Sequence, residues 1–151
     1  MSKMNALLQP SIEKDWRETK SYDIQRLLWV AFIGGPIPLM VLGTRNAKWL
    51  NVRQLHINLL IFLGIIMEIG ECAIIYLFAN GTLTAEDRVM RYLLKLASIL
   101  LFLGYRAVLT KPFQQHMVTN GNITKILKPA IVWILLGGVP ELIVLALGLL
   151  G

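Results

Sequence analysis

The sequence predicts an all-α fold: a polytopic membrane protein with four transmembrane helices in an antiparallel bundle, the first and fourth interrupted. Three observations carry this. Of 151 residues, 56% are hydrophobic and only 16% charged, where soluble domains carry ~25% charge. Four apolar stretches approach the ~20 residues that a helix needs to cross a bilayer. Two of those stretches are broken in the same manner by Gly-Gly and Pro. A chain of this length has room for one compact domain.

Residues 1–23 are polar and of mixed charge, and residues 24–151 hold the apolar spans. After Pro10, Ser11 is placed to cap a short helix in which Ile12 and Trp16 share a face. Such a helix would lie on the membrane surface. No short apolar core with a small-residue cleavage site opens the chain, so no cleavable signal is expected.

The first span is read as Leu27–Gly43. Its interior contains Gly34, Gly35, Pro36 and Pro38. Proline lacks a backbone donor and clashes one turn back, so it kinks or opens a helix. In lipid the freed groups must face protein or a wet cavity, which makes a broken span a pointer to a binding site. The second span is Ile57–Ala79. Its one stripe carries Ile57, Ile61, Gly64, Glu68, Glu71, Cys72 and Ile75. Cys72 is the single cysteine, so no intrachain disulfide is possible.

Asn80-Gly81 marks a turn, and Thr84 with Asp87 matches a capping box ahead of the third span, Tyr92–Leu109. On that helix Arg91, Lys95, Ser98, Phe102 and Arg106 share a stripe. A long loop, Thr110–Lys128, follows, with Pro112, Phe113 and Met117 expected in the interface. Asn80 and Asn122 open glycosylation sequons that fall on opposite faces of a four-span fold, which marks them as chance matches. The fourth span, Ile131–Leu150, is expected to break at Gly137, Gly138 and Pro140.

Four charged residues fall deep within the spans, Glu68, Glu71, Lys95 and Glu141, while Arg106 lies near an edge and can snorkel to headgroups. Each carboxylate facing lipid at mid-bilayer costs ~2.5–3.5 kcal/mol on insertion scales, so all three are expected to turn inward. Lys95 is expected to pair with Glu71. Three carboxylates against one ammonium cannot all ionise cheaply in low dielectric, so Glu68 or Glu141 should hold a proton or give it up to a bound cation. A purely structural role, holding the bundle together, stays open beside this.

His56 and His116 lack neighbouring Cys or carboxylates, so no metal site is assigned to them. Trp29, Trp49, Trp133, Tyr92 and Tyr105 are read as aromatic-belt residues. The net charge of +6 is assigned to headgroup contacts, and no nucleic-acid motif is present. Neither a catalytic motif nor a cofactor-binding motif occurs, so the chain is read as non-enzymatic. In the four-span arrangement Lys and Arg divide seven against seven between the two faces. The positive-inside rule therefore does not orient it, and a weak preference for cytoplasmic termini rests on the charged N-terminal segment.

The run Ile33-Gly34-Gly35-Pro36-Ile37-Pro38-Leu39, the basic Arg45-Asn46-Ala47-Lys48 and the segment Arg53–Phe62 follow one another in order. In this the chain resembles the four-helix family of chloroplast inner-envelope import components and their bacterial relatives. The likeness covers about a fifth of the chain. It implies a four-helix membrane fold and an accessory or translocation-linked role, and it carries over no binding residues.

The expected function is a small accessory, assembly, translocation-linked or immunity-type membrane component. A proton- or cation-coupled transporter or channel using Glu68, Glu71, Glu141 and Lys95 ranks close behind, and a membrane enzyme far behind. Expected partners are the lipid bilayer, a second copy or another membrane protein, and a proton or small cation. The expected location is the bacterial plasma membrane.

Overall fold

In the computed structural model, residues 20–84, 86–119 and 121–150 are described; the surface helix expected after Pro10 lies outside them. The described residues form β1 (Lys20–Ser21), α1 (Ile24–Gly34), α2 (Pro36–Trp49), α3 (Gln54–Ala79), α4 (Asp87–Val118), β2 (Asn122–Ile123) and α5 (Leu127–Leu150). Three of the helices, α3, α4 and α5, are long and apolar enough to cross a membrane.

The first apolar segment is not one continuous helix. It folds into a helical hairpin, α1 and α2, with its corner at Gly35. There φ is +79° and ψ is −164°, a region that is essentially open to glycine alone. Pro36 starts α2, where its fixed φ suits the first helical position. At ~1.5 Å per residue, α1 is about half and α2 about two-thirds as long as a ~30 Å hydrocarbon layer is thick.

The two open ends of the hairpin are tied together. The Asn46 side chain, near the end of α2, accepts from the Tyr22 amide at 2.8 Å and donates to the Tyr22 carbonyl at 3.2 Å. Ser21 Oγ donates to the same Asn46 carbonyl oxygen at 3.0 Å. The Tyr22 and Trp49 rings meet 4.8 Å apart. β1 in turn pairs in parallel with β2, between α4 and α5, with Lys20 opposite Asn122 and the Thr124 amide donating to Ser21 at 2.8 Å. The start of α1, the end of α2, the end of α4 and the start of α5 therefore lie at one end of the molecule, here called the base.

From the base the hairpin rises between the long helices. Tyr105 of α4 is fully buried against α2, its hydroxyl sharing a hydrogen bond with Thr44 (3.0 Å) and donating to the Met40 carbonyl. A Cβ on Gly43 would stand 2.7 Å from the Tyr105 ring, so only glycine admits that approach. Tyr105 is thus a core residue and not an aromatic-belt residue. Leu27, Leu39, Leu42, Leu101 and Leu109 complete a core with no exposed surface.

Other expectations are also corrected. α5 is continuous through Pro140. Its Gly137 serves contact, because a Cβ there would lie 2.8 Å from the Pro38 ring. α4 runs through Pro112 to Val118, absorbing about half of the expected long loop. His116 is buried, and its ring meets the Asn122 carbonyl at 3.3 Å. Glu86, not Thr84, is the N-cap of α4, and no side chain caps it.

Candidate functional site

The hairpin delivers its corner to the middle of the long helices. On α3 the stripe expected from the sequence faces inward, with Ile57, Gly64 and Glu71 buried. Glu71 is 4% exposed, and Glu68 and Glu141 are half-buried. The three carboxylates come together: one oxygen from each lies within 4.8 Å of the others. They border the corner itself, since a Cβ on Gly35 would be 3.5 Å from Glu141 Oε1 and 4.0 Å from Glu71 Oε2.

Two helix poles of opposite sign meet at that corner. α2 begins there, and a helix N-terminus favours negative charge; the Glu71 and Glu141 carboxylates are beside it. Pro36 and Pro38 occupy two of the first three positions of α2, so two amides that would need partners are absent. α1 ends at the same corner, where the Gly35 amide donates to the Ala31 carbonyl and the carbonyls after it fall outside the helix's own ladder. Lys95 Nζ donates to the Ile33 carbonyl at 3.4 Å and sits 5.5 Å from the Phe32 ring centroid.

This corrects the expected Lys95–Glu71 ion pair. Lys95 and Glu71 form no ion pair within 4 Å, whereas Arg26 and Asp23 form an exposed one at 3.8 Å. The ammonium goes to the end of α1 because a helix C-terminus inside an apolar layer needs donors. Glu71 instead accepts from Ser98 Oγ at 3.4 Å. Cys72 Sγ lies 3.8 Å from Glu68 Oε1. Glu68 Oε2 is buried and is the one such side-chain atom without a hydrogen-bond partner among the described residues.

The cluster opens away from the base. A cleft of about 260 Å³ is lined by Gly35, Glu71, Arg91, Lys95, Ser98 and Glu141, among others. A second of about 420 Å³ adjoins it through Gly138 and Glu141 and continues between Ile75, Phe78 and Leu142. Toward the base, the fully buried Leu39, Leu42, Leu101 and Tyr105 close the way.

All four charged residues singled out in the sequence, Glu68, Glu71, Lys95 and Glu141, therefore meet at one place. Of the expected breaks, Gly34, Gly35, Pro36 and Pro38 form the corner, while Gly137 and Gly138 lie opposite it on an unbroken helix. Asn46, which closes the hairpin, was not singled out. Its signal was present: Leu39, Leu42 and Asn46 follow i, i+3, i+7 spacing on one buried face of α2.

Chemically, three carboxylates and one ammonium suit a proton or a small cation. Oxygen ligands are those that hard cations prefer. The Cys72 thiol and the Ser98 hydroxyl also stand beside the carboxylates. Comparison with known protein families, with curated proteins and with solved structures finds no match to this chain.

Proposed function

We propose that this chain is a non-enzymatic, multi-pass integral membrane protein that takes up a proton or small cation on Glu68, Glu71 and Glu141, as a small transport-type component. The observation that carries this reading is the convergence of the three carboxylates on the corner of a broken helix, with one buried Glu68 oxygen left without a partner. Full ionisation of all three beside a single ammonium leaves excess negative charge in a low-dielectric site. A bound proton or cation offsets it. Discontinuous helices at mid-membrane serve this purpose in transporters generally.

The test is flux of protons and of monovalent and divalent cations in proteoliposomes. Wild type is expected to carry one of them, and Glu68→Gln to reduce it at least tenfold. Absence of flux from folded wild-type protein refutes the transport reading.

A second reading, an accessory component that docks on other membrane proteins or on a second copy, is favoured by two observations. The half of the molecule below the site is closed. An apolar groove of about 560 Å³ runs along the outside between α1 and α5, past Trp29, Ile33, Ile131 and Leu135. Under this reading the carboxylates hold the hairpin corner in place. Glu68→Gln would then alter stability or partner capture and carry no flux phenotype.

A further inference from the structure

We propose that residues 24–49 are a re-entrant hairpin that enters and leaves the bilayer on the cytoplasmic face, so that only α3, α4 and α5 cross it. The carboxylate site then opens to the opposite face.

The first argument is geometric. Asn46 is hydrogen-bonded to Ser21 and Tyr22, so the two ends of the segment lie at the same level. β1 pairs with β2, which places that level at the end of α4 and the start of α5. Gly35, the far point of the hairpin, lies against Glu71 and Glu141 in the middle of α3 and α5. A segment with its ends at one face and its corner at mid-membrane has not crossed. Its corner is non-helical backbone at membrane depth, which is tolerated where protein or a wet cavity covers it. Here Glu71, Glu141 and Ile134 border it.

The second argument is independent and electrostatic. With four spans, the Lys and Arg residues of the whole chain balance and give no orientation. With a re-entrant hairpin, Lys20, Arg26, Arg45, Lys48 and Arg53 all move to the base, where the end of α4 and the following turn already place Arg106, Lys111, Lys125 and Lys128. The opposite end keeps Arg88 and Arg91. Among the described residues, a four-span division of four against seven becomes two against nine. Short loops rich in Lys and Arg stay cytoplasmic, so the base faces the cytoplasm.

The opening of the site follows, and this part rests on the proposed function. The clefts reach Glu141 and Glu71 from the end of the molecule that holds Arg91, Ile75 and Leu142. The ligand therefore arrives from the non-cytoplasmic side.

The test is sidedness of single cysteines in the full chain carrying Cys72→Ser, labelled in intact bacterial cells with a membrane-impermeant maleimide. The chosen positions, Lys20, Lys48 and Thr82, are all exposed. Thr82→Cys is expected to label in intact cells, and Lys20→Cys and Lys48→Cys only after permeabilisation. Four spans would place Lys20 with Thr82 and opposite Lys48, and that pattern overturns the proposal. Labelling of Lys48→Cys in intact cells, with Thr82→Cys protected, overturns the orientation. A second measurement keeps the wild-type cysteine: a phosphatase that is active only outside the cytoplasm, fused after α5, is expected to be active. An inactive phosphatase on a membrane-inserted fusion overturns the proposal as well. Neither readout depends on flux, so loss of the transport reading and loss of the topology are separately visible.

Discussion

The base half and the far half of this molecule are built from the same kinds of helix and pack very differently. In the base half, five helical segments share the cross-section, and the buried apolar residues from Tyr22 to Ala130 gather there. In the far half only α3, α4 and α5 remain. Met90 and Gly148 are the buried residues described among its helices. The difference is the hairpin, which is about half as long as its neighbours. It fills the base and stops at Gly35, and the space above it is the cleft. A short element among long ones thus produces a tight core and an open site in one chain, with the carboxylates on the boundary.

That comparison can be broken by substitution. The largest effect is expected from Leu42→Ala in the base. Leu42 has no exposed surface, and truncating such a residue leaves a cavity costing ~2–5 kcal/mol. The loss would be read as a lower midpoint of thermal unfolding in detergent. Asn46→Ala is expected next, at ~1–3 kcal/mol, since the buried Tyr22 amide and carbonyl lose their partner. Hydrogen exchange at the start of α1 should rise in this variant before exchange in α3 does. Smallest is Leu142→Ala, whose side chain borders the cleft and is 65% exposed. Its midpoint should stay within ~0.5 kcal/mol of wild type in the same detergent. Equal losses for Leu42→Ala and Leu142→Ala would mean that the two halves are packed alike.

Much of the site could be read in the sequence because charge in an apolar stretch has few places to go. Glu68, Glu71 and Glu141 are too costly to face lipid, and the i, i+3 spacing of the first two put them on one face. The glycine-proline break before Leu39 was equally legible. Its consequence was not. A broken apolar segment of this length serves equally as one kinked span or as two half-length helices, and composition is identical in both cases. What decides is the tie between Asn46 and Tyr22, a contact between polar residues that local periodicity does not register. The partner of Lys95 was missed for a related reason. Charge counting offers it Glu71, whereas the carbonyls that it meets exist only because α1 ends there. The matching Gly-Gly-Pro in the last helix looked like a second break. Its glycine instead gives room to the ring of Pro38, a contact visible only once the two segments are brought together.

The pairing of β1 with β2 has a consequence for how the protein is made. Lys20 and Ser21 find their partners in Asn122 and Ile123, which leave the ribosome after three-quarters of the chain has been synthesised. The first helices to emerge are therefore among the last to be fastened. During synthesis the half-length pair must wait at the membrane surface or be held by the translocation machinery until α5 begins. A nascent chain arrested before Asn122 should show residues 24–49 protease-sensitive, and one arrested after α5 should show them protected.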